Sequence, residues 1–105
     1  MQIPENLLFM TLQGFRESLL LDAPPRELSA ALAGLWWDAK GDWARGHETA
    51  GQDEGLACAW VHAYLHRKEG DASNAGYWYG RAGKKPARNS LEQEWVDITR
   101  SLLGD

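Results

Sequence analysis

The sequence predicts an all-α protein in which two helical hairpins are flanked by one helix at each end. Apolar residues recur at helical spacings along nearly the whole chain, and no segment alternates in the manner of a strand. A Gly-Asp pair occurs twice between two helical patterns, at Gly41-Asp42 and at Gly70-Asp71. Glycine ends a helix without a Cβ clash, and the aspartate caps the helix that follows. The length of 105 residues fits one domain, 1–105.

The first terminal helix is predicted at about residues 4–21, and the first hairpin at about 25–51. The terminal helix carries an apolar row of Leu8, Leu12, Phe15 and Leu19. Prolines at 24 and 25 separate it from the hairpin, because proline suits the first turn of a new helix. The first hairpin helix, about 25–40, is expected to bury Leu28, Ala31, Leu32, Leu35, Trp36 and Ala39. The second, from 42 to about 51, is expected to be weak because Gly46 lies in its middle.

The second hairpin is predicted at about 54–83, with Asp53 as the cap of its first helix. That helix is apolar around most of its circumference, which is typical of a central helix. Its expected buried residues are Leu56, Ala59, Trp60, Val61, Ala63, Tyr64 and Leu65. After a loop at 83–86, the last helix is predicted at about 90–103, with Ser90 and Gln93 in capping-box spacing. Its expected core residues are Leu91, Trp95, Ile98 and Leu102.

Composition and charge limit the classes of partner. With 44% hydrophobic and 25% charged residues the chain is globular, and its net charge of −4 argues against a nucleic-acid partner. Residues 66–88 nevertheless hold six basic and two acidic residues, which we interpret first as a solvated loop and helix end. Cys58 is the single cysteine, and neither a secretory leader nor a membrane-length apolar run is visible. We therefore expect a cytoplasmic protein without a membrane partner.

The second hairpin resembles the tetratricopeptide repeat. Read from Gly70, small, aromatic and small residues fall at Ala75, Tyr79 and Ala82, and Pro86 follows. This order is similar to that of the second helix of the repeat. In the first hairpin Gly34 and Trp37 resemble the small and aromatic positions of the repeat's first helix, whereas Gly46 and Ala50 depart from the pattern. The offset between the two copies, 29 residues, is also shorter than the period of 34 typical of the family. The resemblance implies a helical-repeat module that binds a peptide or another subunit.

The runs 35–43 and 60–71, with His47 between them, resemble a group of small bacterial proteins of unassigned function. This second likeness spans most of the chain after residue 28 and implies no particular activity.

A polar stripe runs down the helix predicted at about 54–69. It consists of Cys58, His62, His66 and Glu69. Histidines four residues apart can hold one metal ion, but a straight helix cannot bring the whole stripe to one ion, so His47 or Glu48 of the preceding helix would have to contribute. No paired cysteines or zinc-protease motif support a metal, and buried imidazoles bonded to the backbone or to Asp are the ordinary alternative. The sequence therefore assigns no cofactor, keeps His62 and His66 as alternative metal ligands, and leaves a core, a metal-free pocket and a metal site open.

Aromatic and charged residues crowd the first Gly-Asp turn and the end of the central helix. Those around the turn are Trp36, Trp37, Asp38, Lys40, Asp42 and Trp43. They suit an apolar pocket with a few directed polar groups, or a core with capped helix ends. Arg67 and Lys68 suit the carboxyl end of a helix, and they also suit recognition of a small acidic ligand. The candidate ligand-binding residues are Trp37, Asp38, His47, His62, His66, Arg67 and Lys68.

No nucleophile or phosphate-loop motif is present, so the sequence assigns no catalytic residue and favours a protein that is not an enzyme. The leading hypothesis is a module that binds a peptide or protein through the surface near the predicted helices 25–40 and 54–69. Because two repeats bury little of each other, self-association as a homodimer is a further expectation. The alternative is a small-molecule or metal-binding protein, including an enzyme, whose pocket is lined by Trp and His.

Overall fold

A computed structural model describes residues 10–105, and within that range it contains six α-helices and no strand. They are α1 (Leu12–Ser18), α2 (Ala30–Ala39), α3 (Trp43–Ala50), α4 (Leu56–Lys68), α5 (Ala72–Ala82) and α6 (Leu91–Leu103). The all-α prediction is confirmed for this part of the chain. The prediction of one helix at about 4–21 is wrong within the described residues: Thr11 caps α1, which ends at Ser18, so residues 10–11 and 19–21 are not helical. The predicted start of that helix, with Leu8, lies outside the described residues. None of the helices within 10–105 has the length and apolar character needed to cross a bilayer.

The two Gly-Asp turns have the same geometry. Gly41 and Gly70 have φ of 87° and 89°, the left-handed region that glycine tolerates. In each turn the glycine N–H donates to the carbonyl three residues earlier, and the aspartate N–H donates to the carbonyl five residues earlier. The side chains of Asp42 and Asp71 each accept a hydrogen bond from the backbone N–H three residues later. Each turn thus ends one helix and begins the next, so α2–α3 and α4–α5 form two hairpins.

Two helices begin later than predicted because other residues cap them. Ser29 caps α2, and its side chain accepts a hydrogen bond from the N–H of Leu32 at 3.2 Å. The predicted cap of α4, Asp53, is wrong: Gly55 is the cap residue, without a side-chain bond. Asp53 Oδ1 instead accepts the N–H of Gly55 at 2.7 Å, because an aspartate readily closes a turn onto the backbone two residues ahead.

The terminal helices cover the hairpins. Fully buried side chains from four helices meet in one core: Phe15 of α1, Leu35 and Trp36 of α2, Leu65 of α4, and Ile98 of α6. Two indole N–H groups find partners there, as expected for a core rich in tryptophan. Trp36 donates to the Ser18 hydroxyl at 3.0 Å, and Trp95 donates to the Leu35 carbonyl at 3.2 Å. Six expected core residues are not fully buried: Leu56 and Ala39 are exposed, and Leu28, Trp60, Leu91 and Leu102 are partly buried.

Small residues set the spacing within each hairpin. Gly34 of α2 and Gly46 of α3 face each other so closely that an added Cβ on either would touch the carbonyl oxygen of the other, at 3.0 and 2.7 Å. The expectation that Gly46 only weakens its helix is therefore incomplete, because the glycine allows the two helices to approach. In the second hairpin Ala63 of α4 packs against Ala75 and Tyr79 of α5.

Candidate functional site

The structure does not bring the predicted ligand-binding residues into one pocket. The histidines meet between α3 and α4, whereas Asp38 and Lys68 lie in a cleft lined by α1, α2, α4 and α6. Arg67 is bonded to α6, and Trp37 packs edge-on against Trp36 with ring centroids 5.0 Å apart. Two candidate sites follow, which we call the histidine cluster and the cleft.

The histidine cluster comprises His47 of α3 and His62 and His66 of α4. The ring centroid of His47 lies 4.7 Å from that of His62 and 5.0 Å from that of His66, and the two α4 rings are 6.0 Å apart. Each imidazole offers a nitrogen such that all three lie within 4.8 Å of one another. His62 and His66 are 6% exposed, and His47 is half-buried. The i,i+4 pair predicted on one helix thus gains its third member from the neighbouring helix.

Two indoles enclose the histidine cluster. Trp43 stacks on His47, with centroids 5.0 Å apart and planes 14° apart, and its N–H donates to the Leu65 carbonyl. Trp78 of α5 stacks on His62 at 4.3 Å. Sequence reasoning missed Trp78 as a site residue, because its helical spacing is that of an ordinary core position.

The surroundings of His47 and His62 disfavour protonation of these two imidazoles. Burial, and secondarily the neighbouring histidines His47 and His66, lower the pKa of His62 to about 4. Burial also lowers the pKa of His47, with His66 as the second cause. His62 Nδ1 is buried with no hydrogen-bond partner among the described residues. A buried imidazole nitrogen without a partner is uncommon, because buried polar atoms are ordinarily hydrogen-bonded.

A small pocket adjoins the cluster at His62. Its volume is about 160 Å³, and its wall includes Trp78, the acidic residues Asp53 and Glu54, and Arg81. His66 also lies beside carboxylates, since its Nδ1 is 3.6 Å from Glu69 Oε2 and Asp71 lies close by. Of the predicted polar stripe, Cys58 does not join the cluster. It is buried in the main core, which raises the pKa of its thiol to about 11.

The cleft has a volume of about 810 Å³ and a mixed wall. Its charged residues are Arg16, Asp38, Lys68 and Glu92, and the remainder are Leu19, Ala39, Gly41, Tyr64, Leu91 and Trp95. On its wall the buried Asp38 carboxylate accepts bonds of 2.9 Å from both the Tyr64 hydroxyl and the Lys68 ammonium. Burial and the neighbouring Asp38 raise the pKa of Tyr64 well above its usual range. These bonds tie the first hairpin to the second.

Arg67 points away from both candidate sites. Its guanidinium donates to Glu94 Oε1 at 2.8 Å and to the Asn89 carbonyl, and the buried Glu94 also accepts the hydroxyl of Tyr79. Sequence reasoning paired Arg67 with Lys68 as anion-binding groups, but the structure gives Arg67 a partner within the chain. Glu94 has the usual pattern of an exposed helix residue, so the sequence contains no signal for this pair.

The chain was compared with protein-family models, with curated proteins and with solved structures. None of the three comparisons finds a match. The chemistry of the two sites therefore rests on their own residues and geometry.

Proposed function

We propose that the chain is a helical binding module that holds a segment of a partner protein in the cleft. The observation that carries this proposal is the cleft itself, an opening of about 810 Å³ lined by residues of α1, α2, α4 and α6. Its volume lies within the range of roughly 300–1,000 Å³ that ligand sites occupy. The leading hypothesis from the sequence placed the binding surface near these same helices, α2 and α4.

The hairpin arrangement supports a module of the tetratricopeptide type. Three of the positions that carry the resemblance lie where the helices of a hairpin touch: Gly34 lies against Gly46, and Ala75 and Tyr79 lie against Ala63. In helical repeats such small residues let paired helices pack closely, and the surface between repeats is used for binding. The terminal helices α1 and α6 cover the two hairpins in place of further repeats.

The wall of the cleft favours a segment with apolar side chains and a carboxylate. Leu19, Leu91 and Trp95 supply apolar contact area. Arg16 has no carboxylate partner within residues 10–105, and Lys68 uses one of its three N–H donors on Asp38. Leu20 and Leu21, which follow Leu19, are 88% and 53% exposed, so the apolar surface continues past this wall of the cleft.

Site-specific photocrosslinking tests the proposal. A benzoylphenylalanine placed at Leu91, inside the cleft, should crosslink a partner in the native cell. The matched control is the same group at Tyr77, an exposed aromatic of α5 outside the cleft. Charge reversal of the exposed Arg16 to Glu should reduce the Leu91 crosslink while the thermal melt stays unchanged.

Equal crosslinking from both positions, or none from Leu91, would remove the cleft as the binding surface. A crosslink to a second copy of the chain would replace the foreign partner with the homodimer expected from the sequence.

A further inference from the structure

We propose that the histidine cluster binds one divalent transition-metal ion, with Zn²⁺ as the ion and His47, His62 and His66 as its ligands. The site lies between α3 and α4, apart from the cleft, so it does not depend on the proposed binding function.

The positions of the three imidazoles fit a common ion. Their ligand atoms already lie within 4.8 Å of one another. A tetrahedral zinc ion with bonds of about 2.0–2.1 Å holds its nitrogens about 3.3 Å apart, so side-chain rotations close the remaining distance. His62 and His66 are one helical turn apart on α4, and His47 comes from the adjacent helix of the other hairpin. Three protein ligands leave a fourth coordination position for water.

The unsatisfied nitrogen of His62 independently points to a ligand. Its Nδ1 is buried without a hydrogen-bond partner among the described residues. A buried polar atom without a partner costs free energy that a bound ion would recover.

The surroundings supply further features of a metal site. Glu69 Oε2 lies 3.6 Å from His66 Nδ1, and Asn74 Nδ2 lies 3.4 Å from both nitrogens of the same ring, so neighbouring polar groups can orient this imidazole. The pocket beside His62 offers a route from solvent, and Asp53 and Glu54 on its wall attract cations, although Arg81 opposes them. Neutral imidazoles select Zn²⁺ and its transition-metal neighbours over Mg²⁺ or Ca²⁺, which prefer oxygen ligands.

The wild-type chain permits a direct test because its three histidines are all in the cluster. We suggest recording long-range ¹H–¹⁵N spectra of the rings at neutral pH during a Zn²⁺ titration. The signals of all three imidazoles should shift together, and the shifts should saturate at one equivalent of Zn²⁺. Native mass spectrometry should find one zinc ion per chain. Replacement by Co²⁺ should give the visible absorption of a tetrahedral site. Mg²⁺ at the same concentration should leave the ring signals in place.

Variants separate the cluster from incidental binding. His62→Gln and His47→Gln should each weaken Zn²⁺ binding at least about tenfold. Glu48, the other candidate ligand from the sequence, is exposed and lies outside the group of three histidines, so Glu48→Gln should bind Zn²⁺ as the wild type does. Far-UV circular dichroism of each variant shows whether it is folded. If a histidine variant is unfolded, the ring spectra of the wild type test the proposal instead. Ring signals that do not move with Zn²⁺, or that move for one histidine alone, would overturn the proposal.

Discussion

Gly34 and Gly46 meet across the first hairpin so closely that a methyl group on Gly46 would lie 2.7 Å from the Gly34 carbonyl oxygen. Both residues lie inside helices, where glycine is ordinarily less favourable than alanine. The contact involves backbone atoms, which cannot rotate out of the way as a long side chain can. The close approach of α2 and α3 thus offsets the low helix propensity of the two glycines.

Gly46→Ala should therefore destabilise the protein by about 1–3 kcal/mol despite its gain in helix propensity. The matched control is Gly76→Ala in α5, where an added Cβ meets nothing within 4 Å. This substitution should stabilise the protein by about 0.5–1 kcal/mol. Urea denaturation of both variants measures the two effects. If Gly46→Ala is stabilising as well, α2 and α3 do not approach as the structure indicates.

The repeated turn makes a second prediction. Gly41→Ala and Gly70→Ala should each cost about 1–2 kcal/mol, because alanine is strained at φ of 87° and 89°. An added Cβ meets no atom within 4 Å at either position, so the cost is conformational and should be similar at both. Gly70→Asn should cost less than Gly70→Val, because asparagine tolerates the left-handed region. Equal unfolding free energies for these last two variants would show that the conformation at Gly70 is not the cause.

The sequence predicted those parts of the fold that depend on local signals. The helical periodicity, the two Gly-Asp turns and the Ser90 cap are each contained within a few consecutive residues, and the structure has all of them. The role of Gly46 was missed because helix propensity describes one helix, whereas the contact with Gly34 joins two. The sequence predicts Asp53 rather than Gly55 as the cap of α4, because aspartate and glycine both commonly precede a helix.

The candidate site was predictable only as far as one helix reaches. The i,i+4 spacing placed His62 and His66 on one face, and His47 was a candidate third ligand, but their meeting depends on how α3 packs against α4. Arg67 and Lys68 are neighbours in sequence, yet consecutive helix residues point in different directions. Lys68 accordingly reaches Asp38 of α2, whereas Arg67 reaches Glu94 of α6.

Two tryptophans should differ in their contribution to stability. Trp36 is fully buried in the core, so Trp36→Ala should cost about 3–5 kcal/mol. The periodicity of the central helix predicts a similar cost for Trp60→Ala, but Trp60 is only partly buried and lies under the Lys84 ammonium, 4.2 Å from its ring centroid. We therefore expect a clearly smaller loss for Trp60→Ala. Thermal melts of the two variants test this difference. Equal unfolding temperatures would contradict it.

Stability should fall in acid because of His62. The pKa of His62 is about 4 in the folded protein against 6.5 ordinarily, so below pH 6.5 the unfolded chain takes up a proton that the folded chain does not. The stabilisation is complete above pH 6.5 and should decrease by about 3 kcal/mol as pH falls to 4. The groups around His62 are His47, His66 and Trp78, with Asp53, Glu54 and Arg81 in the adjoining pocket.

The measurement is the unfolding free energy of the metal-free protein at pH 7 and at pH 4.5, for the wild type and for His62→Gln. The glutamine does not titrate, so the variant should lose much less stability between the two values, the remainder coming from His47 and from carboxylates. If both proteins lose the same amount, His62 is not the group that couples proton binding to unfolding.

The ion pair between Arg67 and Glu94 provides the last prediction. Glu94 has a side chain that is 4% exposed, and it accepts bonds from Arg67 and from the Tyr79 hydroxyl. Arg67→Met should cost about 3–5 kcal/mol, because it leaves a buried carboxylate without its cation. Glu94→Gln removes the charge while keeping an oxygen for Tyr79, so the double variant should be more stable than the sum of the single effects predicts. A double-mutant cycle by urea denaturation measures this coupling, which should exceed about 1 kcal/mol if the residues interact directly. Additive effects would instead mean that Arg67 acts through its bond to the Asn89 carbonyl, or that it is free to meet an external anion as the sequence first indicated.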